Sequence, residues 1–204
     1  MLFRSTALEW RAADGTGAPE RLVQSPGQIF PHSFLPDASA ILAYGDVTGS
    51  NQNDDIAVYE LEADNAATLL LDTTFNEATP EISPDGRWLT YSSNESGSFE
   101  VYVRPFPDIN AGRWQVSRDG GTQPLWARNG RELFYRDDND DLIAVQVTQE
   151  PSFTSGPQRR LFSASPYLRS GFHQSYDITL DDQRFLMIRE EARSEEHTSE
   201  LQSQ

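Results

Sequence analysis

The chain has 204 residues and a formal charge of −16, with sixteen arginines, no lysine and no cysteine. The missing thiols exclude disulfides and thiolate metal sites. The acid excess excludes the basic footprint that nucleic acid needs and works against contact with an anionic membrane surface. No apolar run is long enough to span a bilayer, and no signal-peptide core follows Met1-Leu2-Phe3-Arg4. The chain is therefore expected either to stay in the cytosol or to begin upstream of Met1, and the repeats below favour the second.

The first predicted element is a hairpin. Leu8-Glu9-Trp10 and Arg21-Leu22-Val23 flank the turn Asp14-Gly15-Thr16-Gly17. That glycine pair could suggest a phosphate cradle, but it leads into a strand and not into a helix. Four similar segments follow: Phe34 to Tyr44, Ile82 to Tyr91, Trp126 to Tyr135 and Ile178 to Met187. Tyr44, Tyr91 and Tyr135 are spaced by 47 and 44 residues, whereas Asn129 to Asp182 takes 53, an excess assigned to a loop insertion near Phe162 to Gly171.

Each unit repeats one pattern. An apolar stretch enters a tight turn, Pro84-Asp85-Gly86 or Arg128-Asn129-Gly130, where proline presets φ, Asp or Asn bonds its own backbone and glycine accepts positive φ. A second strand follows (Trp88-Leu89-Thr90-Tyr91; Leu133-Phe134-Tyr135), then a third (Ile56 to Tyr59; Phe99 to Val103; Leu142 to Val147). A fourth closes the unit at Thr68 to Leu71, Arg113 to Val116 and Arg160 to Phe162. Four short antiparallel strands per repeat of about 45 residues predict an all-β chain, a partial β-propeller of three whole blades and two incomplete ones. A β-sandwich would not repeat one turn at near-constant spacing. The boundaries are a blade remnant over about 5–25, blades over about 30–72, 78–118 and 122–163, and a partial blade over 173–190.

Arg193 to Ser203 reads like the unbroken translation of a common sequencing-library adapter, so 193–204 are expected to be non-native. His197 and its neighbouring glutamates are accordingly not read as a site. Without these residues 15 basic side chains face 29 acidic ones, a charge of −14, and the exclusions above stand.

Candidate chemistry is sparse. There is no Gly-x-Ser-x-Gly pentad for a serine hydrolase, and a chain without lysine cannot supply kinase chemistry. His32 and His173 each stand alone in the sequence and read as turn or surface residues. Asp137, Asn139 and Asp141 have the alternate spacing of a calcium loop, but Leu142 stands where that loop needs glycine and Thr148 where it needs glutamate. The run reads as a polar turn, like Asn51 to Asp55 in its own repeat. Trp10, Trp88, Trp114 and Trp126 occupy strand positions and are expected to pack between blades. No catalytic, cofactor-binding or metal-ligating residue is assigned, and no cofactor is expected.

The stretch Ser83-Pro84-Asp85-Gly86-Arg87-Trp88-Leu89-Thr90-Tyr91 resembles the TolB-like, WD-related propeller repeat of bacteria. The other units drift from it, with Pro36-Asp37-Ala38, Arg128-Asn129-Gly130 and Asp181-Asp182-Gln183 at the turn. Ala12 to Gly17, Val103-Arg104-Pro105-Phe106-Pro107 and Asp181 to Met187 together look like the C-terminal half of certain bacterial serine/threonine protein kinases. Those proteins place a kinase in the cytosol, a membrane span after it and a propeller outside. The resemblance implies a non-catalytic sensor or scaffold module, extracytoplasmic or periplasmic, that binds a protein, a peptide or an envelope component. Two other readings stay open: the gating propeller of a prolyl-oligopeptidase-type serine peptidase, and a periplasmic scaffold of the TolB kind.

Overall fold

The computed structural model describes residues 6–50, 52–61, 67–171 and 173–189; the expected adapter segment lies outside these residues. Among the described residues the regular elements are all strands. β1 (Thr6–Trp10) and β2 (Glu20–Ser25) form a hairpin. β3 (Ile29–Phe34), β4 (Ala40–Gly45), β5 (Asp55–Glu60) and β6 (Ala67–Leu71) make the first four-stranded sheet. β7 (Glu77–Ile82), β8 (Trp88–Ser93), β9 (Glu100–Pro105) and β10 (Trp114–Gln115) make the second. The third holds β11 (Thr122–Trp126), β12 (Glu132–Arg136), β13 (Asp141–Thr148) and β14 (Thr154–Ser163), and β15 (Tyr176–Ile178) pairs with β16 (Phe185–Met187). Within each sheet every strand pairs antiparallel with the next in sequence, and successive sheets meet face to face through β4, β7, β8 and β11. The molecule is an arc of a β-propeller.

The apolar clusters lie between sheets. Leu42, Tyr44 and Val58 of the first sheet pack with Leu89, Tyr91 and Tyr102 of the second. Trp88, Val101 and Val103 pack with Trp126, Leu133 and Val145 of the third. Leu125, Phe134 and Ala144 pack with Tyr176 and Ile178 of the last hairpin. Because each four-stranded sheet is covered on both faces, β4 and β8 are buried at every position; β4 reads as a continuous apolar run, whereas β8 also buries Thr90, Ser92 and Ser93. Phe153, from the β13–β14 connection, completes the junction of the second and third sheets, with its ring 5.3 Å from Trp88 and 5.7 Å from Trp114. Trp88, Trp114 and Trp126 thus pack between blades as expected. Trp10 does not: it is 42% exposed and donates from Nε1 to Glu20 Oε2 across its own hairpin.

The turns keep one geometry despite their sequence drift. Asp85 Oδ1 accepts from the Arg87 N–H, Asp37 Oδ1 from Ser39, Asn129 Oδ1 from Arg131 and Asp181 Oδ1 from Gln183. The residue after each carries positive φ, whether it is Gly86 (76°), Ala38 (57°), Gly130 (70°) or Asp182 (58°). The Asx bond holds the turn even where glycine has been replaced. The excess length of the third unit is not confined to the expected insertion. β13 and β14 are themselves longer than their counterparts, and the rest lies in the connection over 164–175.

The first two sheets meet over buried carboxyls. Glu77 is 2% and Asp55 3% exposed. Glu77 Oε1 accepts from Thr73 Oγ1 and Ser93 Oγ, and its main-chain N–H donates to the Asp54 carbonyl. Burial, reinforced by nearby carboxylates, pushes Glu77 up to about 7 and Asp55 up to about 6. A raised folded-state pKa stabilises the protein below the unfolded value, and that stability is lost as pH rises through the folded one.

Two outcomes are expected. Phe153→Ala leaves a void between two sheets and should cost about 3–5 kcal/mol in chemical denaturation. Between about pH 4 and pH 7 the protein should lose stability as Glu77 and Asp55 ionise. Glu77→Gln should flatten that slope, as measured by urea midpoints on either side of the window.

Candidate functional site

The first strand of each sheet is an edge strand, free to depart from regular pairing. β7 bulges at Thr79-Pro80 opposite Tyr91, and β11 bulges at Gln123-Pro124 opposite Tyr135. Thr79 and Gln123 have φ of 48° and 57°. Positive φ is costly for a β-branched residue. It is held by buried bonds: Thr79 Oγ1 lies 3.1 Å from Ser92 Oγ, and Gln123 bonds on every side as described below. Proline is admissible here because an edge bulge needs no N–H from it. In β3 the extra residue is His32, between the Pro31–Ala43 and Ser33–Leu42 pairs.

Beyond the bulges, one register row faces a cavity of about 470 Å³. Glu81 of β7, Leu125 of β11 and Asp177 of β15 occupy equivalent places, each paired one step before the end of its strand. Glu81 Oε2 accepts the Trp126 N–H at 2.7 Å, a bond from one sheet to the next. Burial pushes the Glu81 carboxyl up to about 8; that N–H and the Arg128 charge oppose the rise, and Asp177 adds to it. Arg128 donates from Nη2 to Asp177 Oδ1 at 2.8 Å and to the Ile178 carbonyl at 3.3 Å.

The opposite wall is aromatic. Tyr44 Oη lies 2.9 Å from His173 Nδ1, and the Phe30 ring meets His173 edge-on at 5.0 Å. The half-buried His32 ring stands 6.3 Å from Tyr44. Burial, and after it the charge of His173, pushes His32 down to about 4, so it is neutral at physiological pH. Burial also raises the Tyr44 phenol, with the Asp54 charge adding to the effect. The two histidines are therefore not isolated: the fold brings both onto Tyr44, correcting the expectation that each stands alone.

His173 arrives there because the connection from β14 to β15 is fastened at several points. Arg136, fully buried, donates to the carbonyls of Leu168 at 2.6 Å, Ala164 at 3.1 Å and Tyr167 at 3.4 Å. Arg169 bonds Asp140 and Thr122. Gln123 Nε2 donates to the Ser170 carbonyl, its Oε1 accepts from Ser175, and its carbonyl accepts from Tyr176 Oη. The acidic run Asp137 to Asp141 belongs to this device. Asp137 Oδ1 accepts the N–H groups of Asn139 and Asp141 within the β12–β13 turn, while Asp140 and Asp141 pair with Arg136, Arg169 and Arg160. Among the described residues no group of three or more His, Cys, Asp or Glu is arranged to hold a metal ion.

A wider crevice of about 760 Å³ opens between the second and third sheets. Its charged rim is exposed and mutually paired, as in Arg87 with Asp85 and Glu150. Perturbed titratable groups converge instead on the inner cavity, which makes it the stronger candidate. Sequence spacing did not reveal this site. The one available signal was the pair Thr79-Pro80 and Gln123-Pro124, 44 residues apart, which marks the edge-strand bulges.

Arg136→Met should unfasten the connection without dissolving its sheet, because the three carbonyls lose their donor. Hydrogen exchange at the Tyr167 and Leu168 amides should accelerate at least about tenfold, while β12–β13 amides keep their protection.

No family model and no curated protein matches this chain in sequence. Solved structures do match it in fold. TolB from Acinetobacter baumannii superposes with a TM-score of 0.64 at 16% identity, over 89% of this chain and 42% of its own. The periplasmic gluconolactonase of Pseudomonas aeruginosa gives 0.55 at 12% identity, over 83% of this chain and 53% of its own. A prolyl endopeptidase gives 0.50 at 12% identity, over 79% and 26%. The chain thus spans about two fifths of the TolB structure it matches, and at these identities the likeness establishes a TolB-like β-propeller fold.

Proposed function

We propose that this chain is a non-catalytic binding and scaffold module, the sensor or interaction propeller of a larger bacterial protein, acting outside the cytoplasm. The inner cavity carries this reading. Three sheets and the last hairpin bring Glu81, Arg128, Asp177, His32, Tyr44 and His173 to one concavity, and those side chains are held by main-chain bonds, ion pairs and ring contacts. A concave, pre-shaped polar surface on a rigid scaffold suits recognition of a protein or peptide. The Val103 to Pro107 and Asp181 to Met187 stretches support a parent of the membrane-bound serine/threonine kinase type. The fold shared with a protein named as periplasmic supports an extracytoplasmic setting. The fold shared with a prolyl endopeptidase supports a second reading, a propeller that admits peptides to a neighbouring peptidase domain.

Panning a random peptide library on the full chain tests the binding reading. Enriched peptides should bind the parent and Thr154→Trp, an exposed position on β14, equally well. They should bind at least about tenfold more weakly to His173→Trp, which fills the cavity. Failure to enrich any peptide, or equal binding to all three proteins, would overturn the reading.

A further inference from the structure

The cavity holds two acceptors, Glu81 and Gln174, that its own walls do not fully compensate. Glu81 is a desolvated carboxyl, and its cationic neighbour Arg128 already serves Asp177 and the Ile178 carbonyl. Gln174, on the same wall, has its amide orientation set by Nε2 donating to the Gln123 carbonyl. Its Oε1 is then buried with no hydrogen-bond partner in the structure. A buried acceptor without a donor is costly, and it points to a donor supplied from outside.

The other wall, lined by Pro31, His32, Tyr44 and His173, holds no arginine. Tyr44 lines the cavity with its hydroxyl bonded to His173, and His32 is neutral at physiological pH. The Tyr176 phenol, the remaining titratable group facing Glu81, is held protonated by burial. The chain as a whole carries −16 and would attract a cation from a distance. A guanidinium is planar, always charged and offers five N–H donors, which suits two separated acceptors beside an aromatic wall.

We propose that the cavity receives the guanidinium of an arginine side chain presented by a protein partner, with Glu81 as its counter-ion, Gln174 Oε1 as a second acceptor and Tyr44 as its ring wall. This deepens the binding reading above and rests on it. A bound guanidinium favours the ionised carboxyl, so binding expels the Glu81 proton and tightens as pH rises toward its pKa.

The test is an NMR titration of the full chain with capped arginine amide, with capped citrulline amide as the neutral isostere and capped lysine amide as the point-charge control. The Trp126 amide, which donates to Glu81, is the reporter. Arginine should give a saturable shift that tightens at least about tenfold between pH 6 and pH 8. Citrulline should bind at least tenfold more weakly than arginine, and lysine severalfold more weakly. Glu81→Gln should remove the pH dependence, and Gln174→Leu, which leaves the Glu81 contacts in place, should weaken arginine severalfold. No saturable shift, equal binding of citrulline or lysine, or pH-independent binding would overturn the assignment. Selected peptides that need the open cavity yet carry no arginine would leave the binding module standing and remove the guanidinium.

Discussion

The structure depends on each sheet being covered on both faces by its neighbours. A four-stranded antiparallel meander with apolar side chains above and below cannot bury itself, and the clusters here form where two sheets press together. Trp88 belongs to β8 but is buried by Trp114 of its own sheet and Phe153 of the next. The middle strands β4 and β8 are buried along their whole length, while the edge strands β7 and β11 add Ile82 and Trp126 to the clusters and interrupt the ladder at their bulges.

That division of labour is what allows a site. β7 and β11 tolerate proline, positive φ and a lost ladder pair because they are edges, and the bulges turn Glu81 and Leu125 toward the cavity. Strain at Thr79 and Gln123 is offset by buried hydrogen bonds, and Gln123 uses the same side chain to hold the connection that delivers His173. Arg136 fills the same role from β12, with its charge met by carbonyl dipoles and Asp140. The cavity is thus assembled by contacts between units, and no single unit contains it.

The acid excess has two distinct uses. On the turns, Asp37, Asp85 and Asp181 fix backbone geometry from exposed positions, where solvation is cheap. Between sheets, Glu77, Asp55 and Glu81 are withdrawn from water and hold their protons to higher pH than exposed carboxyls do. Composition does not distinguish the two sets; burial does.

The sequence by itself determined the fold class and the local grammar. The Pro-Asp-Gly turn, the anchor tyrosines and the strand patterning are short-range signals, legible because turn chemistry and strand alternation act over a few residues. The fold of the drifted turns was legible too, since Asp37, Asn129 and Asp181 retain the side chain that bonds the backbone. Tertiary structure alone decided the site. His32 and His173 are far apart in the chain and meet only through Tyr44, once the 164–175 connection has been fastened by Arg136 and Gln123. Glu81 became distinctive only when packing removed its water and aimed the Trp126 N–H at it. Long-range closure and desolvation leave no periodic trace in a sequence, so the cavity could be seen only in three dimensions.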